Sequence, residues 1–490
     1  MRRRTKIVAT VGPASDSPEV LEGLIKAGVN VFRLGTAHDP VERVVERLKR
    51  IRKVAADLEA TIGILVDLAG PKVRAGFGDE PVQLVTGETV EIRSGDELST
   101  DKQIFVNIDD IARKVQVGDL LHMGDGTASL IITEVSSGVA LAQVSRGGTM
   151  RGRPGVHIPS DRLDGGSPTA EDLTYFDAVV AAGVDMVAVS FVKTARDVRA
   201  LQGEPAPRGP MIIAKIETQA AVDNLDSILE FSDAVMVARG DLGLECGLPV
   251  LPGLQKKIIR TCVQAGKPVI TATQMLETMT TNSQPTRAEV TDVANAVHDG
   301  TSAVMLSGET AVGHDPVLVV ATMATILEEA ETNFAYREWA DQVEAAVVLD
   351  GQHSDRDKVA IAMRSAAQRA ASALSCRSIV AVTGTGTTAR ALSRYRPKAE
   401  IIAVAPTERV LNQLALSWGV RPVLNAAEGE GSGRIYRVLR FLRDIGLLTR
   451  GELVPVVAGA TNSALVSNVL RLDTVPEDDG DGSTPLYQQR

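Results

Sequence analysis

A single rhythm constrains this chain more than any other feature: short apolar runs alternate with amphipathic helical stretches, and one long segment of a different kind interrupts them. Ile7–Val11 reads as a strand, Pro18–Ala27 as a helix, Val29–Leu34 as a strand, Pro40–Leu58 as a helix and Ile62–Asp67 as a strand. Such a start predicts a parallel sheet, because parallel neighbours need a crossover connection and a helix normally supplies it. From about Val73 to Pro159 the helical periodicity stops. Alternating segments such as Thr89–Ile92, Leu120–His122 and Leu130–Val135 sit between turns and read as a small all-β insertion. The rhythm returns near Ser167. Helix Glu171–Ala182 precedes strand Asp185–Ser190, strand Met211–Ile216 precedes helix Ala220–Phe231, and strands Ala234–Ala238, Pro268–Thr271 and Ala303–Leu306 follow.

Three strands before the insertion and five after it make eight β-α units. They predict a closed (β/α)8 TIM barrel, whose usual size is about 250 residues. After roughly Gln342 a polar stretch leads to helix Lys358–Ala373, strand Ile379–Val382, helix Thr388–Ser393 and strand Ile401–Val404, an α/β segment with an open, mostly parallel sheet. The expected organisation is a barrel over residues 1–70 and 165–342, an inserted small β-barrel lid domain over 71–164, a C-terminal α/β regulatory domain over 343–475 and a disordered acidic tail over 476–490.

Composition removes whole classes of function. Hydrophobic residues make up 44% of the 490 and charged residues 23%, which is ordinary for a chain with large cores. A net charge of −10 and 3% aromatic residues argue against a general nucleic-acid binder, which needs cations for phosphates and rings for bases. The longest apolar runs, such as Met186–Val192 and Ile401–Ala405, fall far short of the roughly 20 residues of a membrane helix. The three cysteines, Cys246, Cys262 and Cys376, have no metal-type spacing and fit a reducing compartment. The basic start is followed by a short apolar stretch that breaks at Gly12-Pro13, so a cytoplasmic location is expected.

Chemistry in such barrels sits at the C-terminal strand ends. In Met211-Ile212-Ile213-Ala214-Lys215-Ile216-Glu217, Lys215 and Glu217 are two apart and share one side of a strand. A lysine in an apolar run is costly unless paired or used, so the choice lies between a structural pair and a catalytic one. The next strand ends Ala238-Arg239-Gly240-Asp241-Leu242-Gly243. Its glycines admit a ligand close to the backbone, and free amides there can hold an anion. Glu217 and Asp241 are carboxylates with no histidine partner, a donor set for Mg²⁺ or Mn²⁺ rather than zinc. Arg33, Asp67, Ser190 and Thr271–Thr273 end further strands, and arginine is a fork donor for phosphate. Cations, a metal site and hydroxyls in one ring suit phosphoryl transfer, which is mostly positioning and charge neutralisation. His38 lies on a loop after Arg33. His122, His298, His314 and His353 read as solitary residues. In the last domain Thr383-Gly384-Thr385-Gly386-Thr387-Thr388 lies between strand and helix, either as a phosphate nest or as a plain Thr/Gly turn.

With these residues in view the sequence resembles the pyruvate kinase family over nearly its whole length. The stretches that carry the resemblance are Thr5–Ser15, the Lys215-Ile216-Glu217 and Ala238–Gly243 segments, Ala272–Glu277, Pro285–Val297 and Met305–Thr310. It implies transfer of a phosphoryl group between phosphoenolpyruvate and ADP, giving pyruvate and ATP, with Mg²⁺ or Mn²⁺ as cofactor. Lys215 would neutralise the phosphoryl group in flight, and Glu217 and Asp241 would hold the metal. The amides at Gly240 and Asp241 would bind the substrate carboxylate beside Thr273, which is also the family's candidate in the proton path to the enolate. Arg33 would grip the phosphate. Pro13, His38 and Arg74 would face the nucleotide, and Asp125 matches an acidic lid residue. Thr383, Thr385, Gly386, Thr387 and Thr388 match the loop that binds sugar-phosphate effectors, and the family is usually a homotetramer.

The departures from the family pattern are local. Arg33-Leu34-Gly35-Thr36-Ala37-His38-Asp39 replaces Arg-Leu-Asn-Phe-Ser-His-Gly, and the missing Asn and Ser are potassium ligands in potassium-dependent members. Asp67-Leu68-Ala69-Gly70-Pro71-Lys72 replaces Asp-Thr-Lys-Gly-Pro-Glu, so Lys72 stands where potassium-independent members carry a lysine ammonium in place of the ion. Activity without potassium is therefore expected. The lid segment Arg151-Gly152-Arg153-Pro154-Gly155-Val156-His157-Ile158-Pro159 differs from the usual Lys-Gly-Val-Asn-Leu-Pro. These changes leave two alternatives: a Mg²⁺-dependent relative acting on another 2-oxoacid or enolpyruvate, and a non-catalytic metabolite-binding paralogue.

Overall fold

The computed structural model describes residues 3–37, 39–124, 126–162, 166–201, 203–348, 355–425, 431–459 and 468–477. His38, Asp125, His353 and the tail from 478 onward lie outside them.

Eight parallel strands close into a ring: β1 Lys6–Thr10, β2 Val31–Gly35, β3 Gly63–Asp67, β4 Met186–Val189, β5 Met211–Ile216, β6 Ala234–Ala238, β7 Val269–Ala272 and β8 Ala303–Leu306. Each pairs with its sequence neighbours, and β8 returns to β1 in register Lys6–Ala303 to Ala9–Leu306. Closure follows from strands that are apolar on both faces. Val8, Val31, Leu65, Met186, Ile213 and Ile270 fill the interior, while Ile7, Phe32, Ile64, Val187, Ala214 and Val235 pack outward against the helices. The helices start on local signals. Ser17 caps Pro18–Ala27, and Thr169 with Asp172 and Thr286 with Glu289 form capping boxes. Gly28, at φ 117°, ends the first helix in a conformation that side chains rarely adopt.

The insertion is a six-stranded sheet in the order Val156–His157, Leu120–Met123, Ala128–Ser136, Val139–Arg146, Thr89–Ser94, Gln103–Val106. The segment Arg74–Ala75 joins its two ends, bridging Gly155 on one side and Val106 on the other. The small barrel is thus closed by single bridges, around a core of its own that includes Ile92, Leu121 and Leu130. A 3-10 turn, Ser160–Arg162, leads back to the barrel.

The last domain has strands β9 Ser378–Val382, β10 Glu400–Ala405, β11 Val420–Leu424, β12 Leu453–Ala458 and β13 Val469–Thr474 in the order β11-β10-β9-β12-β13, with only β13 antiparallel. It seats on the N-terminal end of the barrel. Ala415 and Leu416 join the barrel's interior cluster, and Lys6 Nζ donates to Val420 O at 2.8 Å.

Two local readings need correction. Ala220–Phe231 is not one helix but two, Gln219–Asp223 and Leu225–Phe231, with Asn224 ending the first and starting the second. The Arg239–Gly243 stretch does not end the strand but starts a helix, Arg239–Cys246, which buries Leu242 and Gly243. Among the described residues no helix is long and apolar enough to cross a membrane.

Candidate active site

The strand ends converge as the spacing predicts. Arg33 closes on Asp67 across β2 and β3, Nε to Oδ2 at 2.7 Å, and its Nη1 reaches Thr10 Oγ1 at 3.1 Å. Lys215 lies 3.3 Å from Asp67 Oδ1 and 2.9 Å from Glu217 Oε1, and donates to Ser190 Oγ at 2.7 Å. Glu217 Oε2 accepts the Phe191 amide at 2.6 Å, and buried Glu217 Oε1 faces the Lys215 ammonium. In the pair that sequence left open between structure and chemistry, the backbone fixes one Glu217 oxygen and Lys215 pairs with the other.

Electrostatics divide these groups. Burial alone would raise Asp67, but Lys215 and Arg33 outweigh it and hold the carboxyl below its ordinary range. Burial would lower Lys215, yet Asp67 and Glu217 push it up, so the ammonium stays charged. Glu217 goes up, because burial and the charge of Asp241 exceed the help from Lys215 and the Phe191 amide. Asp241 is thus close enough to Glu217 to repel it, and a cation between them would relieve both. No group of three or more His, Cys, Asp or Glu capable of holding a metal occurs among the described residues.

The Gly240 amide, expected to be free for an anion, donates to Thr273 Oγ1 at 2.9 Å, and that hydroxyl donates to Ala272 O at 2.6 Å. Arg239 clasps the turn after β7, donating to Ala272 O at 3.0 Å and to Thr273 O at 2.5 Å, and pairs with Asp292 at 2.6 Å. Thr273, Gln274 and Phe191 all sit at positive φ (68°, 52° and 53°), a costly conformation that clusters at functional sites. Buried Glu309 accepts the Leu276 and Ser307 amides at 3.1 and 2.6 Å and so fixes the turns after β7 and β8.

Sequence reasoning missed Thr10, the Phe191 amide, Glu309 and the clasp made by Arg239. Pro13 is exposed beyond the end of β1. Arg74 lies at the base of the lid and donates to Arg153 O at 3.1 Å. Lys72 is exposed and shares a small cavity of about 30 Å³ with Phe191, Asp241 and His157. A larger cleft of about 1170 Å³ separates lid from barrel; its walls include Gly240 and Gln274 but not Arg33, Lys215 or Glu217. In the last domain Gly386, at φ 82°, donates to Thr383 Oγ1 at 3.0 Å, Thr385 and Thr387 hydroxyls meet at 2.9 Å, and Arg390 donates to Thr385 O at 2.9 Å.

The family profile described as "Pyruvate kinase, barrel domain" matches residues 2–320, and "Pyruvate kinase, alpha/beta domain" matches residues 360–472. The chain belongs to the pyruvate kinase family. It is 40% identical over 478 residues to the pyruvate kinase of Methylorubrum extorquens, covering 96% of this chain and 98% of that one. It is 35% identical over 479 residues to the pyruvate kinase of Clostridium acetobutylicum, covering 96% and 100%. To that of Bacillus licheniformis it is 36% identical over 479 residues, covering 96% and 80%. Likeness to pyruvate kinases at this level along the whole chain does not favour the reading of a different enolpyruvate enzyme or of a non-catalytic paralogue.

Proposed function

We propose that this member of the pyruvate kinase family moves the phosphoryl group of phosphoenolpyruvate to ADP at the cluster of Arg33, Lys215, Glu217, Asp241 and Thr273. The observation that carries the reading is buried Glu217, whose two oxygens hold the Phe191 amide and the Lys215 ammonium, with Asp241 near enough to repel it. Its chemistry fits a divalent cation bound by Glu217 and Asp241, since Mg²⁺ takes one or two carboxylates and completes its shell with water and substrate oxygens. When bound, such a cation neutralises charge on the phosphoryl group and the substrate carboxylate.

Lys215, fixed by Asp67, Glu217 and Ser190, presents a positive charge where charge develops on the phosphoryl oxygens. Arg33, oriented by Asp67 and Thr10, offers its remaining N–H groups to phosphate. Gly240 N–H donates to Thr273 Oγ1 and the Thr273 hydroxyl donates to Ala272 O, and the substrate carboxylate would accept from both by replacing these two bonds. Thr273 then stands where a proton can reach the enolate. Pro13, His38 and Arg74 face ADP, and the Thr383–Thr388 loop takes a sugar phosphate. The working form is a cytoplasmic homotetramer.

Lys72 shares its cavity with Asp241, and an ammonium there supports turnover without potassium, because Gly35, Ala37 and Leu68 offer no side-chain oxygen. The test is pyruvate release from phosphoenolpyruvate, ADP and Mg²⁺ in potassium-free buffer, then with potassium. Strong turnover with little response is expected, and Lys72→Glu should lower it. Full activity of that variant without potassium would remove the role of Lys72.

A further inference from the structure

His122 and His157, 35 positions apart, are not solitary: they face each other across antiparallel lid strands, with rings 6.2 Å apart. His157 leads to Glu245. Its Nε2 lies 3.1 Å from Glu245 Oε2, which also accepts the Ser160 amide at 3.2 Å, while Glu245 Oε1 accepts the Ser160 hydroxyl. Both partners, His157 and Ser160, belong to the segment by which the lid returns to the barrel, and the Glu245 side chain is only 8% exposed. Burial would raise its carboxyl, and the bonds from His157 and Ser160 bring it down instead.

Glu245 lies on the Arg239–Cys246 helix, four residues after Asp241, so both carboxylates project from one face. Its neighbour Leu244 lies under the lid at Gly126, where an added Cβ would be 3.4 Å from Leu244 Cδ2. The same lid turn is held a second time: Lys193 Nζ donates to Ser160 O at 2.7 Å. Lys193 follows Phe191 by two residues, and the Phe191 amide fixes Glu217. The lid turn at Ser160 is thus fastened to the helix that carries Asp241 and to the loop that holds Glu217.

We infer that Glu245 is a positioning residue that, with His157 and Ser160, fastens the base of the lid to the metal-binding helix and sets the spacing of Asp241 from Glu217. The altered lid sequence is part of this fastening, since its His157 supplies a donor to Glu245.

The test compares Glu245→Ala, Ser160→Ala, His157→Leu and His157→Asn with the unaltered protein. Measured are Mn²⁺ binding by electron paramagnetic resonance, tryptic cleavage within residues 71–164, kcat and KM. For Glu245→Ala, Mn²⁺ affinity and kcat should each fall about 10–100-fold, the usual cost of losing the partner that orients a metal ligand. Lid cleavage should accelerate. His157→Leu and Ser160→Ala should move in the same direction, and His157→Asn, which keeps an N–H donor, should recover most of the loss. The milder variants carry the test if Glu245→Ala does not fold. Folded variants with unaltered Mn²⁺ affinity, or His157→Leu indistinguishable from His157→Asn, would overturn the proposal. It rests on Glu217 and Asp241 holding the metal. Mn²⁺ binding that survives Glu217→Gln sinks that reading, whereas loss there with no effect at Glu245 sinks the positioning role alone.

Discussion

Two buried aspartates on neighbouring strands show how the two ends of this barrel differ. Asp67 ends β3 at the C-terminal rim and Asp185 precedes β4 at the N-terminal rim; they are 3% and 1% exposed. Asp185 pairs with Arg52 and accepts the Ile64 amide at 2.8 Å, yet burial wins and its carboxyl is raised. Asp67 faces two cations, Arg33 and Lys215, and is lowered. At the N-terminal rim charge works as a fastener between domains. Arg4 donates to Ala399 O at 3.1 Å, Glu331 accepts the Arg4 amide at 2.8 Å, and Arg396 stacks on Phe334, Trp339 and Trp418. At the C-terminal rim the charges hold one another, with Lys215 between Asp67 and Glu217. A buried charge therefore does not mark a site by itself. It does so where more than one counter-charge and a backbone at positive φ come together.

The contrast can be broken by mutation, and the largest effect belongs to Lys215. Lys215→Met should cut phosphoryl-transfer turnover by roughly 10²–10³-fold or more, as loss of one preorganised charge partner does, while phosphoenolpyruvate affinity changes little. Steady-state kinetics with a separate binding titration check this, and near-normal turnover would take Lys215 out of the mechanism.

A smaller effect sharpens the comparison through pH. The lowered carboxyl of Asp67 adds stability above the unfolded aspartate value of about 4 and loses it as pH falls through the folded value. Asp185, being raised, contributes the opposite slope: the folded protein holds its proton more readily, so this contribution declines as pH rises through that range. The stability penalty of Asp67→Asn should therefore shrink on acidification, and that of Asp185→Asn should grow. Urea unfolding of both variants between neutral pH and pH 4 reads the two slopes, and parallel slopes would refute the assignment.

Much of this was legible in the sequence, for physical reasons. Strands buried on both faces are continuous apolar runs, so β5 and β6 were readable to the residue, and a lysine and a glutamate two apart at the end of one could only share a side. The Arg239–Cys246 helix was not legible. Gly240 and Gly243 depress its propensity, Ala238 at its start offers no capping side chain, and contacts distant in sequence, from Arg239, Leu242 and Glu245, hold it. Strands β11 to β13 were hidden too, because Arg421, Pro422, Pro455 and Arg471 interrupt their apolar pattern. The contact of His157 with Glu245 depends on a lid folding back across many residues, and no spacing rule reaches that far.

The most direct measurement takes Asp67→Asn and Asp185→Asn side by side, recording turnover and unfolding free energy under conditions where both are folded. Breaking a buried ion pair costs about 3–5 kcal/mol, so both should lose stability, Asp185→Asn less because Arg52 is partly exposed. Only Asp67→Asn should lose turnover, since it alone orients Arg33 and Lys215. Folded Asp67→Asn with unaltered turnover, or folded Asp185→Asn with turnover equally lost, would contradict the division between a working rim and a fastening one.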